Sequence, residues 1–409
     1  MANRPTSCLP TRRDVLFGGG ALTAWSMLPR VASAAGARDP RFLTIILRGA
    51  LDGLTTIVPY GDPAWAALRE EADIPLDGAG GLKLDGFFTL NPAMHRLHAL
   101  YEKGEALPIQ AVATPYRGRS HFEGQDVLES GVPVFGGETT GWLNRALQGF
   151  DAGDVAKPVE GARGLAVGSR VPLLMRGAAP VTAWSRAAVA PVTGDTVDRL
   201  LGLYGQTDTA LHDALAEAVR TRAIVGEPSK DALQSKYLER HYTLLAEGAG
   251  RLLADEEGPR VGAMSFDGWD THAKQGPTDG RLATLLGALD AAIGALEASM
   301  RPVWNQTVIA IVTEFGRTVR ENGSDGTDHG TGGAAILVGG AVRGGRVLAD
   351  WPGLAPDQLY EGRDLRPTLD LRSVLKGILA DHLGARPTTL ATNVFPGSEA
   401  APPMRDLLA

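Results

Sequence analysis

The sequence predicts an α/β fold in which a doubly wound, mostly parallel sheet is sandwiched by helices. Short apolar runs of strand length alternate with helical patterns along most of the chain. Residues 307–312 form a continuous run rich in β-branched side chains, which is typical of a parallel strand buried on both faces. Polar, glycine-rich segments follow such runs, and open α/β sheets bind their ligands at this edge. The same pattern therefore predicts the fold class and the location of a site.

The first half of the chain predicts the opening steps of this sheet. Its apolar runs are residues 42–47, residues 107–113 and, as a hairpin or a pair of short strands, residues 164–168 and 173–175. Its helical patterns are residues 92–101, which Asn91 caps, residues 121–128, which Ser120 precedes, and the segment that Gly141 opens.

The middle of the chain differs in character. From residue 197 to residue 253 the pattern is helical, with apolar faces at helical spacing. We interpret it as a helical insertion or cap, at about residues 197–256, that interrupts the sheet. The remaining strands are predicted at residues 261–266, 307–312 and 334–338, and the remaining helices at residues 282–300 and 369–383.

The amino terminus has the pattern of an export signal. Arg12 and Arg13 precede a weakly apolar run at residues 15–28, and residues 32–34 (ASA) form a small-residue cleavage site. A membrane anchor is the alternative, but the run contains three consecutive glycines and is shorter than the ~20 apolar residues that span a bilayer. We therefore expect a twin-arginine signal peptide at residues 1–35, recognised by the twin-arginine export machinery, and one domain at residues 36–409 in the periplasm or outside the cell.

Composition excludes several classes of function. The single cysteine, Cys8, lies in the signal, so the mature domain has neither disulfides nor thiol chemistry. Removing residues 1–34 takes away four arginines and one aspartate, which moves the formal charge from −7 to −10 (−7 − 3). An acidic domain lacks the basic surface that nucleic acids require. No later segment is long and apolar enough to predict a stable membrane span in the mature protein.

Four polar clusters follow predicted strands directly or by a short loop. They are Asp52, Ser120, the segment from Asp267 through Asp270 to His272, and the segment from Glu314 to His329. A parallel sheet points its carboxyl ends to one edge, so these clusters are predicted to converge. Carboxylates and imidazoles gathered there are ligands for a divalent zinc, manganese, magnesium or calcium ion.

Each cluster also has a simpler structural explanation. Asp52 with Gly53 is a common turn pair, and the segment from Glu314 to His329 can be a solvated turn. Ser120 can be a helix N-cap with Glu123 at the capping-box position, a role compatible with anion binding at a helix amino terminus. The histidines in helical patterns are predicted to be packed or surface residues: His95, His98, His212, His241 and His382.

Five motifs, in this order along the chain, resemble those of a secreted bacterial family, the domain of unknown function 1501 (DUF1501). They are residues 48–60 (RGALDGLTTIVPY), 120–122 (SHF), 270–275 (DTHAKQ), 313–318 (TEFGRT) and 326–330 (GTDHG). The resemblance runs from about residue 42 to the carboxyl terminus. It implies the alkaline phosphatase-like fold, whose enzymes cleave phosphate or sulfate esters with metal-bound acidic and histidine ligands.

The resemblance implies a set of metal ligands. It places Asp52 at the first-strand aspartate ligand and His329 at the late histidine ligand. Asp270 and His272 resemble the middle pair of ligands, with Asp267 as an alternative partner. Glu314 lies where enzymes of this superfamily have an Asp-His pair, but the next residue is Phe315, which cannot bind a metal. This difference makes a single-metal site an alternative to a two-metal centre.

The resemblance also implies catalytic groups. Ser120 is the best match to the nucleophile, Thr55 is a poorer one, and direct attack by water is the alternative. Arg317 is placed to bind an anionic substrate oxygen, or else to pair with Glu314 or Asp328.

Two functions follow from these expectations. One is an exported, metal-dependent hydrolase of phosphate or sulfate esters that acts on a small anionic substrate. The other is a non-catalytic binding or assembly protein of the cell envelope that retains the fold and holds a structural ion or a glycan. The polar groups at strand ends favour the first function, and Phe315 favours the second.

Overall fold

In the computed structural model of this protein, eight strands of the described residues form one mixed sheet, and three short strands form a second sheet. The structure describes residues 39–69, 80–149, 164–168, 170–185, 200–201, 204–205, 208–225 and 237–409. The described strands are β1 (Arg41–Arg48), β2 (Ile57–Val58), β3 (Leu82–Lys83), β4 (Thr89–Leu90), β5 (Ala106–Ala113), β6 (Gly164–Val167), β7 (Val181–Trp184), β8 (Val261–Asp267), β9 (Thr307–Val312), β10 (Gly333–Val338) and β11 (Leu369–Asp370).

Helices of very different lengths connect and cover the strands. The described α-helices are α1 (Gly53–Thr56), α2 (Trp65–Leu68), α3 (His95–Glu102), α4 (His121–Ser130), α5 (Trp142–Gly149), α6 (Thr209–Val225), α7 (Tyr237–Ala254), α8 (Arg281–Ser299), α9 (Leu371–Asp381) and α10 (Pro387–Thr389). Short 3₁₀ segments occupy Leu173–Met175 and Arg301–Gln306, and a π-helical turn occupies Leu390–Val394.

The order of the large sheet is β11-β5-β10-β9-β1-β8-β6-β7. β1 is parallel to both β8 and β9, and β6 is parallel to β7 and β8. β10 is antiparallel to β9 and to β5, which makes β5 parallel to β9. The chain therefore enters β10 at the same edge where β1, β5, β8 and β9 end. The predicted mostly parallel α/β sheet is confirmed.

The two faces of the sheet are covered by separate layers of helices. On β1, Leu43, Ile45 and Leu47 pack into a core with α3, α7 and α8. The alternate residues Phe42 and Ile46 pack into a second core with α5 and α9. Each fully buried side chain of this size stabilises the fold by roughly 1.5–3 kcal/mol. The alternation along β1 accounts for the three-layer arrangement, because successive side chains of a strand point to opposite faces.

The expectation that no later segment is long and apolar enough to span a membrane is wrong on length and composition, because α8, among the described residues, has both. It lies within the domain, where Leu286, Leu289 and Ile293 are fully buried in the core that covers one face of the sheet. Its apolar composition is therefore explained by its place in the core.

The predicted strands at residues 42–47, 107–113, 261–266, 307–312 and 334–338 are confirmed to within a residue at either end. The prediction of a strand at residues 173–175 is wrong, because this segment is a 3₁₀ turn. β6 pairs instead in parallel with β7, a strand that the sequence did not predict, so the chain must cross from the end of one to the start of the other. The turn lies in that crossover, with Leu174 and Met175 buried.

The helix predicted at residues 92–101, with Asn91 as its cap, begins only at His95. The Asn91 side chain instead accepts the N–H of Ala93 in a turn (3.0 Å). The carboxylate of Asp290 accepts the first free N–H groups of the helix, from Arg96 (3.0 Å) and Leu97 (2.9 Å). A side chain from α8 thus accepts the free N–H groups at the start of this helix, a role that the sequence predicts for the local residue Asn91.

Two further predictions concern whole segments. The predicted helical segment from residue 197 contains α6 and α7, although part of it lies outside the described residues. α7 buries Tyr242, Leu245 and Leu252 in the core that covers one face of the large sheet. The predicted signal at residues 1–35 also lies outside the described residues, and residues 40–409 form one compact unit.

Candidate metal centre

The loops that leave the parallel strands meet at one edge of the sheet. The backbone N–H of Gly49, after β1, donates to Glu314 Oε1 after β9 (2.8 Å). His121, at the first position of α4 beyond β5, reaches the same Glu314 oxygen through Nδ1 (2.9 Å). Arg317, after β9, donates to Asp270 beyond β8 (2.5 Å). Four loops distant in sequence are therefore bonded to one another, at the edge where such sheets bind ligands.

Three imidazoles surround one carboxylate oxygen at this edge. Asp270 Oδ1 lies 3.1 Å from His272 Nε2, 3.4 Å from His121 Nε2 and 3.4 Å from His329 Nε2. The Nε2 atoms of His272 and His329 are 2.9 Å apart. We call these four residues the histidine cluster. His329 reaches it from the start of the antiparallel β10, which explains how a residue preceding its strand lies beside residues that follow theirs.

Each imidazole is oriented through its other ring nitrogen. His329 Nδ1 bonds to the carbonyl oxygen of Arg119 (2.8 Å), and His272 Nδ1 to Asp328 Oδ1 (3.2 Å). His121 Nδ1 bonds to a Glu314 oxygen, as described above. A carbonyl or an ionised carboxylate only accepts, so Nδ1 carries the proton in all three rings. In the neutral imidazoles, the Nε2 lone pairs therefore face the centre of the cluster.

The residues fit a divalent metal ion. One ligand atom each from His121, Asp270 and His329 lies within 4.8 Å of the other two. His121 Nε2 is buried and has no hydrogen-bond partner among the described residues, although polar atoms so placed are normally satisfied. Zinc bonds of ~2.0–2.1 Å at tetrahedral angles put ligand atoms ~3.3 Å apart. The separations of 3.4 Å from Asp270 Oδ1 to the Nε2 atoms of His121 and His329 match that spacing.

His272 lies at the border of this group rather than within it. Its side chain is 43% exposed, against 25% for His121 and 24% for His329. It contacts Asp270 and His329 but is not in the three-residue group that can hold an ion. The centre therefore has three inner donors and one more accessible imidazole.

The charges of the cluster are adjusted by its neighbours. The pKa of His121 is raised, chiefly because Nδ1 is hydrogen-bonded to the Glu314 carboxylate. Burial lowers the pKa of His329, and the nearby positive charges of His121 and Arg317 lower it further. Burial would raise the pKa of Asp270, but the hydrogen bond and charge of Arg317 outweigh burial and lower it. Asp270 is therefore ionised and can act as an anionic ligand.

Glu314, predicted as a ligand, lies behind the cluster. Its side chain is fully buried, and its oxygens accept hydrogen bonds from Gly49, His121, Gln125 (3.2 Å) and Thr313 (3.0 Å). Burial would raise the pKa of this carboxyl, but the hydrogen bonds from His121, Gln125 and the Gly49 N–H lower it. In this position Glu314 orients His121 and raises its basicity, as carboxylates behind metal-bound histidines do.

Phe315, the residue that cannot bind a metal, is a wall of the cluster. Its ring stacks on the His121 ring with centroids 5.0 Å apart and lies 5.4 Å from the His329 ring. It is 3% exposed. An apolar side chain therefore occupies the space directly behind two of the imidazoles.

Arg317 differs from the expectation that it faces a substrate anion. Its guanidinium is fully buried and donates to the backbone oxygens of Gly49 (2.6 Å), Ala50 (2.8 Å), Trp269 (3.2 Å) and Thr327 (2.9 Å). Its carboxylate partner is Asp270, not Glu314 or Asp328. With its N–H groups used in this way, Arg317 joins three loops and orients Asp270.

Asp52 also differs from the expectation that it binds the metal. It is 1% exposed and pairs with Arg69 Nη1 (2.8 Å), a residue that the sequence analysis did not single out. Its oxygens further accept the N–H and hydroxyl of Thr55 and the side chain of Gln275 (2.7 Å), which makes Asp52 the N-cap of α1. Burial would raise its pKa, but the charge of Arg69 keeps it lowered. All of its acceptor positions are directed at protein groups.

Ser120 is the N-cap residue of α4, as predicted, but its hydroxyl does not bond to the helix. The predicted capping box is absent, because Glu123 accepts the hydroxyl of Tyr116 (2.8 Å) instead. The same Tyr116 oxygen accepts the Ser120 N–H (3.0 Å). The Ser120 hydroxyl is thus free of the capping role and lies next in sequence to His121.

Backbone strain is concentrated in the loops of this edge. Arg119, just before Ser120, has φ 60°, and Lys274 and Asp325 have φ 47° and 55°. Left-handed backbone is costly for residues other than glycine and is typical of functional sites. At Arg119 this conformation accompanies the carbonyl contact to His329, and the Arg119 side chain is held by Glu361 (2.6 Å) and Asp364 (2.9 Å).

His121 is not among the site residues that the sequence predicts, although it lies within the SHF motif. His121 is the first residue of a helix and follows Ser120, whose type and position indicate an N-cap. The sequence pattern therefore directs attention to Ser120 rather than to His121. The signal that identifies His121 is its place directly after the loop of a parallel strand, the same criterion that selected the other clusters.

Residues 101–389 match the model of a family described as protein of unknown function (DUF1501). The match covers 289 of the 409 residues (389 − 101 + 1). The chain belongs to the DUF1501 family. This confirms the family that the motifs predicted, and the matched range includes the whole histidine cluster of this DUF1501 protein.

Solved structures similar to this DUF1501 chain have low sequence identity to it. Ps i-CgsB in complex with k-i-k-neocarrahexaose has a TM-score of 0.42 at 10% identity, over 85% of this chain and 72% of that chain. Phosphonate monoester hydrolase of Agrobacterium radiobacter has a TM-score of 0.37 at 12% identity, over 85% and 74%. The Zn complex of the C-terminal periplasmic domain of EcEptC from Escherichia coli has a TM-score of 0.36 at 11% identity, over 91% and 92%. None of the curated proteins compared with the chain matches it.

Proposed function

We propose that this DUF1501 protein is an exported, metal-dependent hydrolase of phosphate or sulfate esters. The observation that carries the proposal is the arrangement of His121, Asp270 and His329, whose donor atoms gather within 4.8 Å while an Nε2 atom is left unsatisfied. Two imidazoles and one carboxylate with an open position resemble catalytic zinc sites more than the all-oxygen sites of calcium or magnesium. We therefore expect zinc first and manganese second.

In this proposal the bound ion supplies charge stabilisation for the oxygens of the transferred phosphoryl or sulfuryl group. Ser120 is the nucleophile, because its hydroxyl is released from capping and lies at the amino end of α4, where negative charge is stabilised. The bond from Ser120 Oγ to phosphorus or sulfur forms as the bond to the leaving alcohol oxygen breaks, and the hydroxyl proton passes to solvent water. Attack by a second water on phosphorus or sulfur then breaks the bond to Ser120 Oγ and releases phosphate or sulfate. Attack by water without the serine step is the alternative mechanism.

His272 is the group that we assign to proton transfer in this reaction. It is the most exposed imidazole of the cluster, and the contact of its Nδ1 with Asp328 Oδ1 (3.2 Å) orients the ring. As the imidazolium, it can donate the Nε2 proton to the leaving oxygen. The variant His272→Gln should therefore slow the hydrolysis of esters with poor leaving groups more than that of activated aryl esters.

The test is a screen of the purified, metal-loaded protein against phosphate, phosphonate and sulfate monoesters. We expect turnover of at least one class, loss of turnover in Ser120→Ala and unchanged metal content in that variant. Ser299→Ala is the matched control, because its hydroxyl bonds to the Ala295 carbonyl at the far end of α8. Turnover that persists in Ser120→Ala would transfer the nucleophile role to water.

A non-catalytic binding protein is the second candidate. The inward orientation of Arg317 favours it, because the guanidinium expected to hold a substrate anion is used to join loops. Export to the periplasm or cell exterior is part of both proposals and rests on the residues of the 1–35 signal. Stoichiometric metal with no turnover of any ester, together with glycan binding that needs the metal, would favour the binding protein.

A further inference from the structure

A single buried carboxamide connects the two loops that carry the histidine cluster. Gln275 is 1% exposed, and its Oε1 accepts the hydroxyls of Thr271 (2.8 Å) and Thr327 (2.8 Å). Thr271 lies between Asp270 and His272 in the loop after β8, and Thr327 lies two residues before His329 in the loop before β10. Both loops are therefore held to the same oxygen atom.

The orientation of this carboxamide is fixed by the Asp52–Arg69 ion pair. Gln275 Nε2 donates to Asp52 Oδ2 (2.7 Å), which also accepts Arg69 Nη1 (2.8 Å). An ionised aspartate only accepts hydrogen bonds, so a rotated amide would place two acceptors against each other. Asp52 therefore determines that the oxygen of Gln275 faces the two threonines. We call Asp52, Arg69 and Gln275 the buried support.

A second contact between the loops depends on the same spacing. The N–H of Thr327 donates to the Thr271 carbonyl (3.1 Å), and Arg317 donates to the Thr327 carbonyl while it pairs with Asp270. A loop displaced at Thr271 or Thr327 changes the distance between Asp270 and His329. Metal ligands must be held to within about 0.5 Å of productive geometry. The buried support can therefore control metal binding through the distance between Asp270 and His329.

We propose that Gln275 is a positioning residue for the metal centre, which sets the spacing between the ligand-bearing loops and so determines metal affinity. The proposal rests on the metal centre of the proposed function, but it does not depend on hydrolysis. Groups behind metal ligands typically change metal affinity by about 10–100-fold when they are removed. The role differs from general support of the fold, which any buried, hydrogen-bonded glutamine provides.

The chain contains a matched control for this distinction. Gln110 is also fully buried, and its Nε2 donates to the backbone oxygens of Gly53 (2.8 Å) and Ile57 (2.7 Å), away from the ligand-bearing loops. Gln275→Met and Gln110→Met each remove a buried carboxamide and keep the side-chain volume. Both variants are expected to lower Tm, because each leaves buried polar groups unpaired.

The experiment measures the Kd for Zn²⁺ of the full chain by competition with a chelator, together with Tm in the metal-free state. We expect Gln275→Met to raise Kd at least about 10-fold and Gln110→Met to leave it within about 2-fold. Equal Kd values in Gln275→Met and wild type, with a lowered Tm, would overturn the proposal while leaving the metal centre intact. Wild-type protein that binds no Zn²⁺ would refute the metal centre itself.

Two further variants keep the proposal testable if Gln275→Met does not fold. Thr271→Val and Thr327→Val each remove one hydroxyl donor to Gln275 Oε1, and we expect each to weaken Zn²⁺ binding. Where Gln275→Met does fold, neither threonine variant should add its full effect in a double variant with it, because the interaction is already lost. Full additivity, or no effect of either threonine on Kd, would contradict the positioning role.

Discussion

Two aspartates at the same edge of the sheet have opposite surroundings. Asp52 follows β1 and Asp270 follows the neighbouring parallel strand β8. Asp52 is 1% exposed and its oxygens are saturated by Arg69, Thr55 and Gln275. The side chain of Asp270 is 41% exposed, with its Oδ1 among three imidazole nitrogens. The edge of the sheet brings both carboxylates together with other polar groups. Asp52 belongs to the buried support because protein donors occupy its oxygens, whereas Asp270 belongs to the metal centre because its Oδ1 faces the imidazoles.

The largest effect that this comparison predicts is on stability. Asp52→Ala leaves the buried guanidinium of Arg69 without its partner, and we expect a loss of about 3–5 kcal/mol in the free energy of unfolding. Urea unfolding of the metal-free protein measures it. Asp406→Ala is the control, because its pair with Arg343 is exposed and should change stability by less than about 1 kcal/mol. Equal losses in the free energy of unfolding for the two variants would show that the buried Asp52–Arg69 pair contributes no more to stability than an exposed ion pair.

The second prediction concerns Glu314, which lies directly behind the histidine cluster. Glu314→Gln replaces the carboxylate that accepts the His121 Nδ1 proton, so the pKa of His121 should fall and metal affinity should drop about 10–100-fold. Imidazole titration by NMR in the metal-free protein measures the pKa. Glu129→Gln is the control, since this buried carboxylate pairs with Arg48. A His121 pKa that is the same in Glu314→Gln and wild type would contradict the assignment.

The same pair gives a third prediction, on the pH dependence of the metal-free protein. The pKa of Glu314 is lowered and that of His121 is raised in the fold. Their attraction therefore stabilises the fold between these two pKa values, and it is lost as the pH falls through the first or rises through the second. Unfolding measured against pH should show that the Glu314→Gln variant loses most stability inside this window. A loss that is constant across pH would refute the charged pair.

The smallest predicted effect is on Ser120. Because its hydroxyl makes no capping bond, Ser120→Ala should change stability by less than about 0.5 kcal/mol. Asp370, whose side chain does cap α9 by accepting the Arg372 N–H (2.8 Å), should cost about 1 kcal/mol when replaced by alanine. Thermal unfolding of the two variants checks the contrast. A larger loss in Ser120→Ala than in Asp370→Ala would show that Ser120 is a structural cap.

The sequence predicted the sheet better than the roles of individual side chains. Residues 307–312 were assigned as a buried strand because a β-branched run permits little else, and the rule on strand ends located the cluster. The position of Asp270 followed from that rule. The pairing of Asp52 with Arg69 did not, because Arg69 lies after the short helix α2, with no pattern that relates it to Asp52.

Side chains that can point either way were also beyond the sequence. The Arg317 side chain is long enough to reach outward to a substrate or inward to backbone oxygens. It points inward because the carbonyl oxygens of Gly49 and Ala50 lie within hydrogen-bond distance there. Gln275 lies in the motif at residues 270–275, but the sequence predicts no role for it, because its three partners come from three separate segments. Positioning residues of this kind become visible only once the loops have been brought together.

The most direct test of the account is the metal content of wild type, His121→Ala, His329→Ala and the control His98→Ala, purified without chelator and measured by elemental analysis. His98 is suitable because its Nε2 bonds to the Lys83 carbonyl, away from the cluster. We predict about one zinc or manganese ion per chain in wild type and His98→Ala, and near zero in the two cluster variants with the fold preserved. Wild-type protein without metal, or cluster variants that retain it, would contradict the metal centre at His121, Asp270 and His329.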